Sequence, residues 1–147
     1  MPRQIKREVV IAASREKVFD ALIKPSAIKQ WWFANSAIVY AKANGHYVVS
    51  WGPNEDHPEY INAMRISVFE PPAKLALSDF DYFSKTGPLP FKAELQTEFF
   101  VAEENGKTKL TVIQSGFPDS FIAEIFYLGS VVGWETTLAS IKKFLEG

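Results

Sequence analysis

The sequence of 147 residues contains no cysteine and only two histidines, and these absences exclude several kinds of site. Disulfide frameworks, thiolate zinc sites and thiol nucleophiles all require cysteine. His46 and His57 have no third histidine with which to complete a metal site. We interpret the acidic stretch around His57 as a solvated loop. We therefore expect no metal site and no resident cofactor.

Long apolar runs and an excess of charge of one sign are also missing. The longest nearly apolar segment, residues 125–134, is shorter than the roughly 18 residues that a membrane span requires. Residues 9–13 are too short an apolar stretch for a signal-peptide core. The net charge of −1 argues against nucleic-acid binding. We expect a cytoplasmic protein with no membrane span and no nucleic-acid partner.

Aromatic residues, in contrast, are abundant. They make up 14% of the chain, with 12 Phe, 5 Tyr and 4 Trp. A chain of this mass buries about two-thirds of its surface on folding. A single domain over residues 1–147 can therefore form a core without a disulfide or a metal. The rings suit either a rigid core or a ring-lined pocket.

Two short helices are predicted after an N-terminal strand. Ser14 is positioned to cap the first helix, and Pro25 ends it. Ser26 is the predicted cap of the second helix, whose apolar side includes a pair of tryptophans. Neighbouring helical residues point to different sides, so one of Trp31 and Trp32 is expected to pack inward and the other to be half exposed.

A period of two then predicts antiparallel strands. With the N-terminal strand at 6–12, the predicted strands are 37–43, 46–51, 61–69, 75–80, 93–101 and 110–114. Asn44-Gly45 between two such runs predicts a tight hairpin turn. Residues 104–107 predict the turn of a second, longer hairpin.

The C-terminal segment returns to a helical period. Four apolar residues recur at spacings of four, three and four, namely Trp134, Leu138, Ile141 and Leu145. Upstream, Gly129 and Gly133 each cost about 1 kcal/mol inside a helix, so a break or kink is expected near them. A second set of residues offers apolar surface at helical spacing, namely Phe121, Ile125, Phe126 and Leu128. Three surroundings for this surface stay open: a ligand, the core or a partner subunit.

This order of elements predicts an α+β fold in which a curved, seven-stranded antiparallel sheet wraps around the long C-terminal helix. A gap is expected wherever the sheet and the helix diverge, and an apolar ligand fits such a gap.

Five short motifs, in their order and spacing, resemble one family. They are ALIKP at 21–25 followed by the tryptophan pair, EPPAKL at 70–75, GKTKLTV at 106–112, SGF at 115–117 and GWE at 133–135. The chain resembles the homologues of the activator of the heat-shock-protein-ninety ATPase, within the START-like, Bet v 1-like (SRPBCC) superfamily. This resemblance implies the helix-grip fold and binding of a lipid-like or other apolar molecule between sheet and C-terminal helix. Phe33-Ala34 and Asp79-Phe80 depart from the family pattern near the expected pocket mouth.

The candidate ligand-binding residues come from the inward faces of the predicted strands and helices. For the apolar members the alternative is plain core, and for the polar members it is internal hydrogen bonding. The candidates are Trp32, Tyr47, Trp51, Asn62, Met64, Asp79, Phe80, Tyr82, Thr97, Phe99, Gln114, Phe126 and Trp134.

Three functions remain open on these observations. The first, which we favour, is non-catalytic binding of a hydrophobic small molecule by a monomer or homodimer. The second is a chaperone-interacting domain that uses charged faces such as Arg65, Lys85 and Lys92. The third is a cyclase or hydrolase that uses Asp79 or a neighbouring polar residue in the pocket. No nucleophile motif, phosphate-binding glycine loop or dinucleotide fingerprint occurs, so no catalytic residue is assigned.

Overall fold

The computed structural model describes residues 3–54, 56–89, 91 and 94–147. The predicted strand at 93–101 begins outside these residues and is observed from Gln96 onward. The elements in chain order are β1 (Arg3–Ile11), α1 (Arg15–Ile23), α2 (Pro25–Trp31), β2 (Ser36–Val39), β3 (His46–Trp51), β4 (Tyr60–Glu70), β5 (Lys74–Ser84), β6 (Gln96–Glu104), β7 (Lys107–Phe117) and α3 (Phe121–Glu146).

The seven strands form one antiparallel sheet in the order β1-β7-β6-β5-β4-β3-β2. Consecutive strands are neighbours except at β1, which pairs with β7 at one edge. Helices α1 and α2 connect this edge to β2 at the opposite edge, and α3 lies against the sheet. The predicted α+β helix-grip fold is confirmed.

The C-terminal end of α1 is capped by the polar groups of two aromatic side chains. Ser14 caps α1 as predicted, since its side chain accepts from Lys17 N. At the other end of α1, the last carbonyls have no helical partner and need donors. The indole Nε1 of Trp31 donates to Ala21 O at 2.8 Å, and the hydroxyl of Tyr47 donates to Leu22 O at 2.7 Å. Part of the aromatic excess therefore caps helices.

The prediction that Ser26 caps α2 is wrong. Helix α2 begins at Pro25, its N-cap residue is Lys24, and no side chain makes a capping hydrogen bond there. Proline fits the first helical position because its fixed φ is already helical and its missing N–H needs no partner. Of the tryptophan pair, Trp31 is buried and Trp32 is partly exposed, as expected.

The predicted two-residue turn at Asn44-Gly45 is also wrong. Six residues, 40–45, connect β2 to β3, and Asn44 N donates to Ile66 O on β4. Gly45 is needed for close approach, because a Cβ there would lie 1.9 Å from Tyr40 O. The second predicted turn, at 104–107, is confirmed as a tight one, since Asn105 and Gly106 both have the positive φ of a type I′ hairpin.

Strand β5 carries a bulge that decides which of its side chains point inward. Ala63 pairs with Asp81 and Arg65 pairs with Ser78, so two residues of β5, Asp79 and Phe80, lie opposite the single residue between that pair on β4. Asp79 has φ +55, in the left-handed region. The extra residue reverses the alternation beyond this point.

Helix α3 is continuous over Phe121–Glu146, so the break expected near Gly129 and Gly133 is absent from the described helix. Trp134, Leu138 and Ile141 are buried against the sheet, in line with the predicted apolar face. An added Cβ would meet nothing within 4 Å at either glycine. No helix among the described residues is long and apolar enough to cross a membrane.

The core fills the concave face of the sheet under α1, α2 and the C-terminal half of α3. Its largest fully buried side chains include Phe19, Trp31, Tyr47, Phe99 and Phe117. Farther along α3, toward its N-terminal half, the packing opens into a cavity.

Candidate ligand cavity

A cavity of about 180 Å³ lies between the sheet and α3. Five aromatic rings form most of its wall, and the remaining lining is polar or small. The lining residues are Trp32, Asn62, Phe80, Tyr82, Gln114, Phe126, Ser130, Gly133, Trp134 and Thr137.

Each wall of the cavity has a clear origin in the fold. Asn62 and Tyr82 are directly paired across β4 and β5. The β5 bulge brings Phe80 and Tyr82 to the same inward side, where their rings stack 6.1 Å apart. Helix α3 supplies five lining residues at spacings of three, four and one, which is the inner side of a helix.

All four tryptophans of the chain belong to one cluster at this cavity. The ring of Trp32 lies 5.0 Å from that of Trp31, 5.2 Å from that of Trp51 and 6.0 Å from that of Trp134. Trp51 Nε1 donates to Trp32 O at 2.9 Å and so holds the end of α2 against β3. Two of the four rings, Trp32 and Trp134, line the cavity. Tryptophan fluorescence therefore reports on its contents.

The carboxamide of Gln114 is fixed by two partners. Its Oε1 accepts from Trp134 Nε1 at 2.7 Å, and its Nε2 lies 3.5 Å from Thr97 Oγ1. An indole N–H is only a donor, so this contact defines which end of the carboxamide is the oxygen. Ser130 is likewise engaged, because its hydroxyl donates to Phe126 O at 2.9 Å.

Asn62 differs from these residues. Its Oδ1 is buried, and within the described part of the chain it has no hydrogen-bond partner. A buried acceptor without a partner costs about 1–3 kcal/mol, so a ligand that donates to it gains that amount back.

No ionisable acid, base or cation is found among the described residues that line the cavity, apart from the phenol of Tyr82. A second groove of about 150 Å³ shares Phe80 and Tyr82 with the cavity and includes Asp81. No group of three or more His, Asp or Glu side chains that could hold a metal occurs in the described ranges. The arrangement is suited to binding an uncharged or cationic molecule.

The structure brings seven of the thirteen predicted site residues together in the cavity wall. They are Trp32, Asn62, Phe80, Tyr82, Gln114, Phe126 and Trp134. Five others do not line the cavity and belong to the buried interior or pack against it, namely Tyr47, Trp51, Met64, Thr97 and Phe99. Among them, Phe99 packs edge-on against Trp134 at 5.8 Å, and burial raises the pKa of the Tyr47 phenol above its ordinary value.

Asp79 is the exception, and its predicted inward position is wrong. The β5 bulge turns its side chain outward, where it is 63% exposed and pairs with Arg65 at 2.8 Å. It therefore has no contact with the cavity through which to act as an acid or base. Arg65 and Lys85 are on exposed surfaces and are paired with Asp79 and Glu59, whereas Lys92 lies outside the described residues.

Three lining residues were missed by sequence reasoning, namely Ser130, Gly133 and Thr137. The signal was available, since they flank Trp134 at helical spacing. Serine, threonine and glycine do not stand out in an apolar pattern, which is why the hydrophobic periodicity passed over them.

A family model described as Activator of Hsp90 ATPase homolog 1-like protein matches residues 12–146. The chain belongs to this family. The match agrees with the motif resemblance and covers both the cavity and the helix that closes it. No functionally curated protein matches this family member significantly.

Solved structures share the fold of this chain. Protein MLL2253 of Mesorhizobium loti is 19% identical over 98% of this chain and 97% of its own, with a TM-score of 0.80. The Aha1 dimer of Colwellia psychrerythraea is 17% identical over 98% and 96%, with a TM-score of 0.74. DynU16, a putative protein of the dynemicin biosynthetic locus, is 20% identical over 97% of this chain and 47% of its own, with a TM-score of 0.73. At these identities the similarity shows the fold alone.

Proposed function

We propose that the protein binds a compact, largely apolar molecule in the cavity between the sheet and α3, without transforming it. The observation that carries the proposal is the ring-lined cavity itself, in which Asn62 Oδ1 has no partner among the described residues. An apolar cavity of about 150 Å³ is large enough to bind benzene. The volume of about 180 Å³ here therefore suits a group the size of one ring, and a full-length acyl chain exceeds it.

Two glycines of α3 provide a matched test. An added Cβ meets nothing within 4 Å at either Gly129 or Gly133, but of the two only Gly133 lines the cavity. Gly133→Leu should fill the cavity, while Gly129→Leu adds the same side chain one turn away. Binding of benzyl alcohol, followed by tryptophan fluorescence, should weaken at least tenfold in Gly133→Leu and remain unchanged in Gly129→Leu. Equal binding by both variants, or no binding by the unmodified protein, would contradict the proposal.

A second observation favours self-association. Five large apolar side chains on the outer side of α3 are exposed, among them Phe121 at 93% and Ile125 at 83%. The other three are Ile122, Leu128 and Val132. The spacing of four, three and four from Phe121 to Val132 places four of them in one stripe. We call these five residues the outer α3 face.

A second copy of the chain is the partner that this face fits best. Five side chains that are more than half exposed form a patch on the order of 500 Å², as large as the largest patch of most monomers. A stable interface needs about 800 Å² per partner, so the outer α3 face supplies most of a two-fold interface. Glu124, on the same helix, is ion-paired with Arg3 of its own chain and brings no unpaired charge. The solved Aha1 relative is also a dimer.

Sedimentation velocity tests this second proposal. The unmodified chain should sediment as a dimer, and Ile125→Glu should convert it to a monomer. Ile38→Glu is the matched control, because Ile38 is also exposed but lies on β2, away from α3. A monomeric unmodified chain would reject the dimer and leave a different protein, such as a chaperone, as the occupant of this face.

A further inference from the structure

We infer that the cavity selects a ligand that carries a hydrogen-bond donor and no negative charge, and that a protonated amine binds more tightly than the matching alcohol. This inference rests on the proposed function, because it names the class of molecule that the same cavity accepts. It follows from the unpartnered oxygen of Asn62 and from a described lining that has aromatic rings but no cationic side chain.

The first step concerns hydrogen bonding. Asn62 Oδ1 is an acceptor, so only a ligand with an N–H or O–H group completes it. Gln114 and Ser130 do not offer the same opportunity. Gln114 Oε1 already accepts from Trp134 Nε1, and the Ser130 hydroxyl already donates to Phe126 O. Of these three groups, Asn62 Oδ1 is therefore the buried one that calls for a donor.

The second step concerns charge. A carboxylate in the cavity would lie beside an acceptor oxygen and aromatic rings, with no Lys, Arg or His among the described lining residues to balance it. A buried charge without a partner is strongly disfavoured. An ammonium group is favoured where a carboxylate is not, since it donates to Asn62 and is attracted to the electron-rich faces of aromatic rings.

The size of the cavity limits suitable probe ligands to molecules with one ring. We choose four such molecules that have the same number of carbon atoms and differ in their polar group. They are toluene, benzyl alcohol, benzylamine, which is protonated at pH 7, and benzoate. A net neutral hydrogen bond corresponds to about threefold to tenfold in affinity, and a bond to a charged group to more. The expected order of affinity is benzylamine, benzyl alcohol, toluene and then benzoate, with threefold to tenfold between alcohol and toluene.

The experiment measures all four dissociation constants for the full chain by tryptophan fluorescence. Asn62→Leu keeps the approximate volume and removes the acceptor, so the alcohol and amine should lose their advantage over toluene. Asn62→Asp adds a charge to the acceptor and should strengthen benzylamine while weakening benzoate. Gln96→Leu, an exposed amide on β6, is the matched control and should leave the order unchanged. Near-ultraviolet circular dichroism checks that each variant is folded.

The outcomes separate the two proposals. If none of the four probes binds, the proposed function fails together with this inference. If all four bind the unmodified chain with equal affinity, or benzoate binds most tightly, the cavity is a binding site but the inferred selectivity is overturned. An order that persists unchanged in both Asn62 variants also overturns it, because the selectivity would then come from another group.

Discussion

The indole Nε1 of Trp134 on α3 donates to Oε1 of Gln114 on β7 at 2.7 Å. This bond joins the helix to the sheet at the floor of the cavity, and both side chains line it. The sheet side of the bond is supported by Thr97, whose hydroxyl oxygen lies 3.5 Å from Gln114 Nε2. The geometry of the cavity therefore depends on a polar contact as well as on packing.

Removal of this contact should destabilise the protein measurably. Trp134→Phe keeps a ring but leaves Gln114 Oε1 buried without its donor, and we expect a loss of about 2–3 kcal/mol in the free energy of unfolding. Gln114→Leu should cost a similar amount because the indole N–H is then unpaired. The double variant should cost less than the sum, with a coupling of about 1–2 kcal/mol in urea denaturation. Strict additivity would show that the two groups do not interact in solution.

Tyr47 gives a prediction that involves pH. Its buried hydroxyl donates to Leu22 O, and burial raises the pKa of the phenol above its ordinary value of about 10. The folded chain therefore resists ionisation that the unfolded chain undergoes. The stabilising contribution is complete below pH 10 and declines as the pH rises above it, by at most about 1.4 kcal/mol per pH unit.

Tyr47→Phe tests both parts of this argument. It should lower the free energy of unfolding at pH 7 by about 1–2 kcal/mol, because Leu22 O loses its donor, and it should reduce the decline above pH 10. The control is Tyr127→Phe, whose hydroxyl makes only an exposed 3.4 Å contact to Gln4 O. That variant should leave the stability at pH 7 unchanged. Identical alkaline profiles for Tyr47→Phe and the unmodified chain would contradict the assignment.

The fold could be predicted almost completely from the sequence because its periodicities are strong and its elements follow in a familiar order. The side-chain directions around the cavity could not. Alternation from Leu75 and Leu77 places Asp79 inward, but the bulge in β5 inserts a residue and brings Phe80 and Tyr82 inward instead. Nothing in the local pattern marks the bulge, because it depends on pairing with β4, which is a tertiary property.

The two Asn-Gly pairs also show that a local sequence pattern cannot predict structure that depends on long-range pairing. Both carry the signal of a tight turn, yet only Asn105-Gly106 forms one between directly paired strands. At Asn44 the backbone is instead paired with Ile66 of β4, so the longer connection gains hydrogen bonds that a two-residue turn would lack. A local signal decides the structure only where no long-range partner competes with it.

Asp79 itself permits a direct test of the bulge. Its φ of +55 disfavours residues with a Cβ, and a β-branched side chain most of all. Asp79→Gly should be neutral or stabilising in spite of the lost ion pair, because exposed pairs contribute little. Asp79→Val should lower the free energy of unfolding by about 1–2 kcal/mol, measured by thermal or urea denaturation. If valine were tolerated as well as glycine, the strand would be regular there and Asp79 would point inward.

Substitution of glycine by alanine should have opposite effects on the free energy of unfolding at two positions. Gly116 has φ +96, and a Cβ there would lie 2.3 Å from the backbone oxygen of Glu94, so Gly116→Ala should cost about 2–4 kcal/mol. Gly129 lies inside the continuous helix α3, where an added Cβ meets nothing within 4 Å. Gly129→Ala should therefore stabilise the chain by about 0.5–1 kcal/mol. Urea denaturation of both variants at low protein concentration separates these effects from dimer formation. Destabilisation by Gly129→Ala would mean that α3 is interrupted in solution, as its glycine content first suggests.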